Sequence, residues 1–306
     1  MLTLILDSML TLFTTAKPFR DHAGVIQRNA LKSWTLLHPG VEVILFGDDE
    51  GAADIARELG LRHEPHVERN EFGTKRLDYM FARAQQVARN EFVCYSNCDI
   101  ILFPEICGAL TRVSQSYSHF LMVGRRWDTD INEPLALGNA QVDEHVRQLA
   151  HQTGVRRGPD AVDYFAFRRG FYRDIPPLVV GRIWWDHWIV WKARQMGGDV
   201  VDVSSLVTAI HQNHDYGYHP AGAKGIWTDE QAQRNYDLAG GQWHMFTIDD
   251  ATHILDADGF RRNWRAPFAP YYRFFRPRLA PYWFKFLDFT RPLRHFFGVK
   301  NRIQKH

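Results

Sequence analysis

The sequence predicts an α/β protein with a Rossmann-like, mostly parallel central sheet flanked by helices, followed by a basic and aromatic C-terminal extension. Three observations predict this. Short apolar runs of strand length alternate with segments of helical period along the first two thirds of the chain. The run Phe92-Val93-Cys94-Tyr95 is interrupted by the polar Ser96-Asn97-Cys98-Asp99 and resumes as Ile100-Ile101-Leu102, the pattern of a buried strand that presents a carboxylate at its end. Beyond this core the composition shifts: between Arg261 and His306, 12 Lys and Arg face one acid, Asp288, whereas the first 260 residues hold 25 Lys and Arg against 34 Asp and Glu. The expected division is a core of residues 1–225 and an extension of residues 226–306.

The elements follow in order. Leu10-Thr11-Leu12-Phe13-Thr14-Thr15 is a first strand, and Ala16-Lys17-Pro18 the loop leaving it. Ile26, Ala30, Leu31 and Trp34 share one helical face, and His38-Pro39-Gly40 ends that helix. Val41 to Phe46 is a second buried strand; the acidic turn Gly47-Asp48-Asp49 follows, then a helix from Ala52 to Leu59 closed by Gly60. Leu77, Met80, Phe81, Ala84, Val87 and Ala88 keep helical spacing and feed the strand at Phe92. Further strands are expected at Phe120–Gly124, Asp163–Phe167, Val200–Val203 and Val207–Ile210, with helices at Val142–His151 and Trp184–Ala193. Strand, helix and strand in this rhythm imply right-handed crossovers in a parallel sheet.

Composition narrows the classes of function. With 306 residues, 45% of them hydrophobic, the chain can fill a large core. No stretch approaches the ~18 consecutive apolar residues of a membrane-spanning helix. Met1 to Phe13 is apolar but contains Asp7 and lacks a basic start, which argues against a signal peptide. Met9-Leu10-Thr11-Leu12 repeats Met1-Leu2-Thr3-Leu4, so Met9 is an alternative start. Cys94, Cys98 and Cys107 fit reduced thiols and a cytoplasmic location better than a disulfide framework, and no fourth sulfur completes a zinc site. Neither a GxGxxG loop after the first strand nor a GxxxxGK[ST] loop occurs, which disfavours dinucleotide oxidoreductases and P-loop NTPases. Burying Asp99 alone would be costly, so it either meets a cation in a cleft at the carboxyl end of the sheet or is a plain corner aspartate.

Several residues occur in a telling order: Thr14-Thr15, Gly47-Asp48-Asp49, Gly73-Thr74-Lys75-Arg76, Asn97-Cys98-Asp99, Trp185-Asp186-His187 and His211. In that order the chain from Leu10 to Tyr218 resembles a GT-A glycosyltransferase, nearest to bacterial family-2-like nucleotide-diphospho-sugar transferases. The resemblance implies a divalent metal, Mn²⁺ or Mg²⁺, held by Asp99 and His211. Asn97-Cys98-Asp99 departs from the DxD motif of that fold by one carboxylate, which gives the imidazole of His211 more weight and favours Mn²⁺. It further implies that Thr14, Thr15, Lys17, Asp48, Arg76 and Asn97 meet the nucleotide-sugar donor, with Asp48 accepting from a uracil ring. Asp48 is alternatively a helix cap, and Lys17 and Arg76 solvated charges.

An inverting transfer needs a base near the acceptor hydroxyl, and Asp186 among tryptophans fits because desolvation raises a carboxyl pKa. The plainer alternative is a core stripe of Trp184, Trp188 and Trp191, with Asp186 facing water. Asp163, Trp185 and His214 are expected at the acceptor. His211, His214 and Asp215 together also fit a metal-hydrolase cluster. The rival functions are a nucleotide-sugar hydrolase, a nucleotidyltransferase, which lacks its glycine-rich loop here, and a non-catalytic membrane-associated glycan-binding module.

In the extension, Tyr271-Tyr272-Arg273-Phe274-Phe275-Arg276 and Tyr282-Trp283-Phe284-Lys285-Phe286 mix bulky rings with cations, which suits a peripheral contact with an anionic membrane surface. A nucleic acid is the less favoured partner. Pro267, Pro270, Pro277, Pro281 and Pro292 argue against one long helix.

Overall fold

The computed structural model describes residues 10–214 and 226–271, with Phe275, Leu279, Tyr282, Phe286 and Phe289 beyond them. Met9, Asp215 and the aromatic residues Phe274 and Trp283 lie outside the described residues. Strand β1 (Leu10–Thr15) passes through helix α1 (Asp21–Thr35) to β2 (Glu42–Phe46), and α2 (Ala52–Leu59) leads to β3 (Arg62–Glu64). Helix α3 (Leu77–Val87) returns the chain to β4 (Phe92–Ser96), which is followed by β5 (Ile100–Ile101), α4 (Glu105–Ser116), β6 (Phe120–Val123) and β7 (Arg126–Thr129). Next come α5 (Ala140–Thr153), β8 (Val155–Arg156), β9 (Tyr164–Arg168) and α6 (Trp185–Gln195). Strands β10 (Asp199–Asp202) and β11 (Ala209–Gln212), helix α7 (Glu230–Leu238) and the hairpin β12 (His253–Asp256) with β13 (Gly259–Arg262) complete the unit.

Among the described residues, nine strands form the central sheet, in the order β13-β12-β10-β6-β9-β4-β1-β2-β3. It is mostly parallel; β9 runs against β4 and β6, and β13 against β12. Alternate side chains enter opposite layers, as the two-residue period of a strand requires. Leu10, Leu12, Val43 and Leu45 pack in the layer that holds α1, α2 and α4, whereas Phe13, Ile44 and Phe46 pack in the layer that holds α3 and α6. Phe81 of α3 anchors that second layer, with its ring centroid 5.0 Å from Phe13 and 5.6 Å from Tyr95. Removing a ring so enclosed costs about 3–5 kcal/mol in comparable cores.

The sheet is mostly parallel as expected, and the direction of its antiparallel strand β9 has a consequence. Ser96, the last residue of β4, pairs with Tyr164, the first of β9, so Asp163 arrives beside Asn97 at the carboxyl end of β4. A second sheet, ordered β5-β11-β7-β8, sits over the same end. Its short strands give weak sequence signals, and the same holds for the hairpin β12–β13. That hairpin joins the central sheet through Val201↔His253 and Asp202↔Ile254. The chain accordingly divides into compact units at Met1–Asn263 and Trp264–His306, later than the 225/226 boundary read from composition.

Candidate active site

The chain leaves β1 toward β2 and β3 on one side and returns to β4 on the other. A crevice outside the carboxyl ends of β1 and β4 is the expected binding place in such a sheet. A cleft of about 550 Å³ opens there. Thr15, Ala16 and Lys17 line it from β1, Asp49 from the β2 turn, Asn97, Cys98 and Asp99 from β4, and Trp185 and Asp186 from α6.

Asp99 is placed by the turn between β4 and β5, and its backbone carbonyl accepts from the Gln212 N–H at 3.2 Å, which ties it to β11. Oδ2 of Asp99 stands 3.2 Å from Nε2 of His214 and 3.8 Å from Nε2 of His211. Its Oδ1 is buried with no hydrogen-bond partner among the described residues, a costly state for a carboxylate oxygen. Burial works against ionisation here, but His211, His214 and Lys17 outweigh it and hold the carboxyl well below the ordinary range. One atom each from Asp99, His211 and His214 lies within 4.8 Å of the others. An anionic oxygen, two imidazoles and an orphaned oxygen fit a divalent cation of the Mn²⁺ kind.

A chain of charges fixes this triad from behind. Nδ1 of His211 faces Oδ1 of Asp128 at 3.2 Å. Arg126 donates from Nε to Asp128 at 2.8 Å and from NH1 to Oδ2 of Asp163 at 2.7 Å. Asp163 in turn accepts from Nδ2 of Asn97 at 2.8 Å, and Tyr95 donates its hydroxyl to Oδ1 of Asn97 at 3.3 Å. Burial alone would discourage a charged Arg126, yet Asp163 and Asp128 more than restore it and raise its pKa. Asn97 is thus engaged by its neighbours, and Asp163 is part of the frame.

Asp186 lies in the first turn of α6, where the His187 N–H donates to Oδ1 at 2.9 Å. Burial raises its pKa against the lowering effect of His187, and the nearby Asp163 adds to the rise. The preceding Trp184 has φ 88°, an uncommon left-handed conformation for a bulky residue that sets the entry of the helix into the cleft. Trp185 is buried, with its ring edge-on to Tyr95 at 5.2 Å and 5.5 Å from Phe165.

The other expected donor residues fall on both sides of the cleft wall. Thr15 and Lys17 line it, whereas Thr14 is fully buried in β1. Asp48 turns outward to pair with Arg69 at 2.7 Å, and Arg76 pairs with Glu68 and Asp78. Asp49 and Lys75 take the inward positions: Lys75 is buried, pairs with Asp49 and donates to the Ala16 carbonyl at 2.7 Å. Desolvation lowers the Lys75 pKa, with Asp49 opposing. Gly47, at φ +105°, makes this turn possible, since a Cβ there would meet Asp49 Oδ2 at 2.7 Å and Lys75 Nζ at 3.0 Å. Trp227, exposed at the mouth, and Arg126 also escaped the sequence reading. The three cysteines are free and buried, and burial pushes the Cys94 thiol up to about 12 and that of Cys107 to about 11. They are inert thiols.

No protein-family model and no curated protein matches the sequence. Among solved structures, the chain is similar to glucosyl-3-phosphoglycerate synthase from Mycobacterium tuberculosis in complex with Mn²⁺, UDP and glucosyl-3-phosphoglycerate. That match has 14% identity and a TM-score of 0.48, and covers 78% of this chain and 84% of the other. It is also similar to S. aureus TarS 1–349 in complex with UDP-GlcNAc, at 12% identity and a TM-score of 0.31, over 40% of this chain and 35% of that one.

Proposed function

We propose that the protein is a metal-dependent glycosyltransferase that moves a sugar from a nucleotide-diphosphate donor, UDP-linked, to a hydroxyl of a glycan or lipid-linked acceptor. The observation that carries this reading is the meeting, in one cleft, of Asp99, His211 and His214 with a second carboxylate, Asp186, whose pKa is raised. A low-pKa carboxylate and a high-pKa carboxylate in one site divide naturally into a cation ligand and a proton acceptor.

Asp99, His211 and His214 would hold Mn²⁺ or Mg²⁺, which would supply charge neutralisation for the departing nucleoside diphosphate. His214, expected from sequence at the acceptor, serves better as a ligand because its Nε2 faces Asp99. Lys17 offers a fixed positive charge to the phosphates, and Thr15, Asp49 and Lys75 form the wall on the nucleotide side. Asp186 takes the proton of the acceptor hydroxyl as its oxygen bonds to the anomeric carbon, while the bond to the diphosphate oxygen breaks and that oxygen keeps the pair. Displacement in this sense inverts the anomeric centre. Asn97 and Asp163 act through the frame, by holding the β4 end against Arg126. The proposed compartment is the cytoplasm, which would keep Cys94, Cys98 and Cys107 reduced.

The test is incubation with a panel of nucleotide sugars, with and without glycan acceptors, in Mn²⁺. Transfer to an acceptor is the expected outcome. Release of nucleoside diphosphate at an equal rate without acceptor indicates a hydrolase, and the absence of any turnover or nucleotide binding leaves the non-catalytic module. In parallel, Asp99→Asn is expected to weaken Mn²⁺ binding, read by calorimetry, by about 10–100-fold or more; an unchanged affinity removes Asp99 from the ligand set.

A further inference from the structure

The most conspicuous feature that sugar transfer leaves unused is the set of large apolar side chains held in solvent in the unit Trp264–His306. Trp264, Phe268, Tyr271 and Phe275 are exposed, Trp264 by 71%. Leu279, Tyr282, Phe286 and Phe289 have helical backbone and are exposed as well, Tyr282 by 71% and Phe289 by 81%. Leu279, Tyr282, Phe286 and Phe289 follow one another by three or four positions, the interval at which helical side chains share a face. Singly exposed apolar residues are ordinary; a succession of eight is not.

The residues between and around them supply the second observation. Over Arg261 to His306 the chain has 12 Lys and Arg and one acid, and Arg265, Arg273, Arg276, Arg278 and Lys285 fall between the exposed apolar residues in sequence. A second copy of this chain would bring the same positive charge against it. The stripe is dominated by Trp, Tyr and Phe, whose rings sit at a headgroup boundary. No helix among the described residues is long and apolar enough to cross a membrane.

We propose that this segment is an interfacial anchor that lies in the plane of an anionic bilayer, with its aromatic stripe at the acyl boundary and its Lys and Arg on lipid phosphates. Neither half suffices alone. The rings give depth and retention, the cations give selectivity for negative lipid and a dependence on salt. The inference stands on the surface of this unit and does not require the donor chemistry of the cleft.

The test uses the full chain without nucleotide. Co-sedimentation is measured with phosphatidylcholine vesicles and with vesicles enriched in phosphatidylglycerol, at low and high salt. Binding to the anionic vesicles, weakened by salt, is expected. Replacing Trp264, Phe268, Tyr282 and Phe289 together by Ser leaves every cation in place and should lower that binding at least tenfold, to order of magnitude, with an unchanged circular dichroism spectrum. Should that variant fold poorly, Phe289→Ser alone and quenching of the native tryptophan fluorescence by bromine-tailed lipid read the same insertion. Equal binding by the Ser variants, no quenching, or no vesicle binding overturns the proposal. So does a stripe-dependent dimer seen by light scattering, or single-stranded nucleic acid that outcompetes the anionic vesicles.

Discussion

Asp186 is subject to opposing effects. A carboxylate in the first turn of a helix gains roughly 0.3–1 kcal/mol from the backbone dipoles, and the His187 N–H adds a hydrogen bond. Burial among Trp185 and Tyr95 outweighs both and raises the pKa above its ordinary 3.8. With the folded value above the unfolded one, the group favours folding when protonated, and that contribution is lost as pH rises through the folded pKa. Asp186→Asn is therefore expected to leave the melting temperature at neutral pH unchanged or higher, while kcat falls by about 10²–10⁴-fold. The wild-type kcat/KM should also decline as pH drops through a value above 3.8, and the variant's residual rate should lack that limb. A variant that keeps full transfer, or that loses activity only by unfolding, removes the base assignment. Asp99 could be singled out in the sequence because it interrupts an apolar run, whereas Asp186 and His211 were singled out only through the order of residues that the chain shares with GT-A glycosyltransferases. The choice between Asp48 and Asp49 was not legible, since it is made by the left-handed turn at Gly47.

At the scale of elements, the candidate site depends on strands too short to read. Strand β7 has four residues, and Arg126 and Asp128 point the same way only because they are two apart on it. Sequence periodicity cannot separate so short a strand from a loop, so the frame behind His211 was invisible while His211 itself was not. The direction of β9 was hidden for another reason: an apolar run reads the same in either sense, and only its pairing with β4 brings Asp163 to Asn97. Arg126 joins Asp163 to Asp128, and cutting one member of a buried ion network typically costs about 3–5 kcal/mol. Arg126→Met should therefore lower stability by that order in denaturant titration and also weaken Mn²⁺ binding, by roughly 10–100-fold as for other supporting residues. Arg126→Lys keeps the charge but cannot fork between two carboxylates, so it should recover part of the stability and little of the metal affinity. Equal Mn²⁺ affinity in all three proteins would show that the network serves only the fold.

For the molecule as a whole, the division at Asn263 separates two kinds of stability. Residues Met1–Asn263 carry the nine-stranded sheet, its two apolar layers and the cleft, so any energy of donor binding enters the transition of that unit. A ligand present at a hundredfold excess over its dissociation constant stabilises the state that binds it by about 2.7 kcal/mol. For a unit of this size that corresponds to a rise in melting temperature of roughly 5–10 °C. UDP with Mn²⁺ is thus expected to raise the main calorimetric transition by several degrees, chelation of the metal to reverse most of the rise, and His214→Ala to abolish the dependence on Mn²⁺. Because every described residue that lines the cleft precedes Asn263, a chain ending there should show the same ligand-dependent shift. A transition that no nucleotide and no divalent cation moves, in either protein, would mean that the cleft holds no nucleotide-sugar donor, whatever the order of strands that frames it.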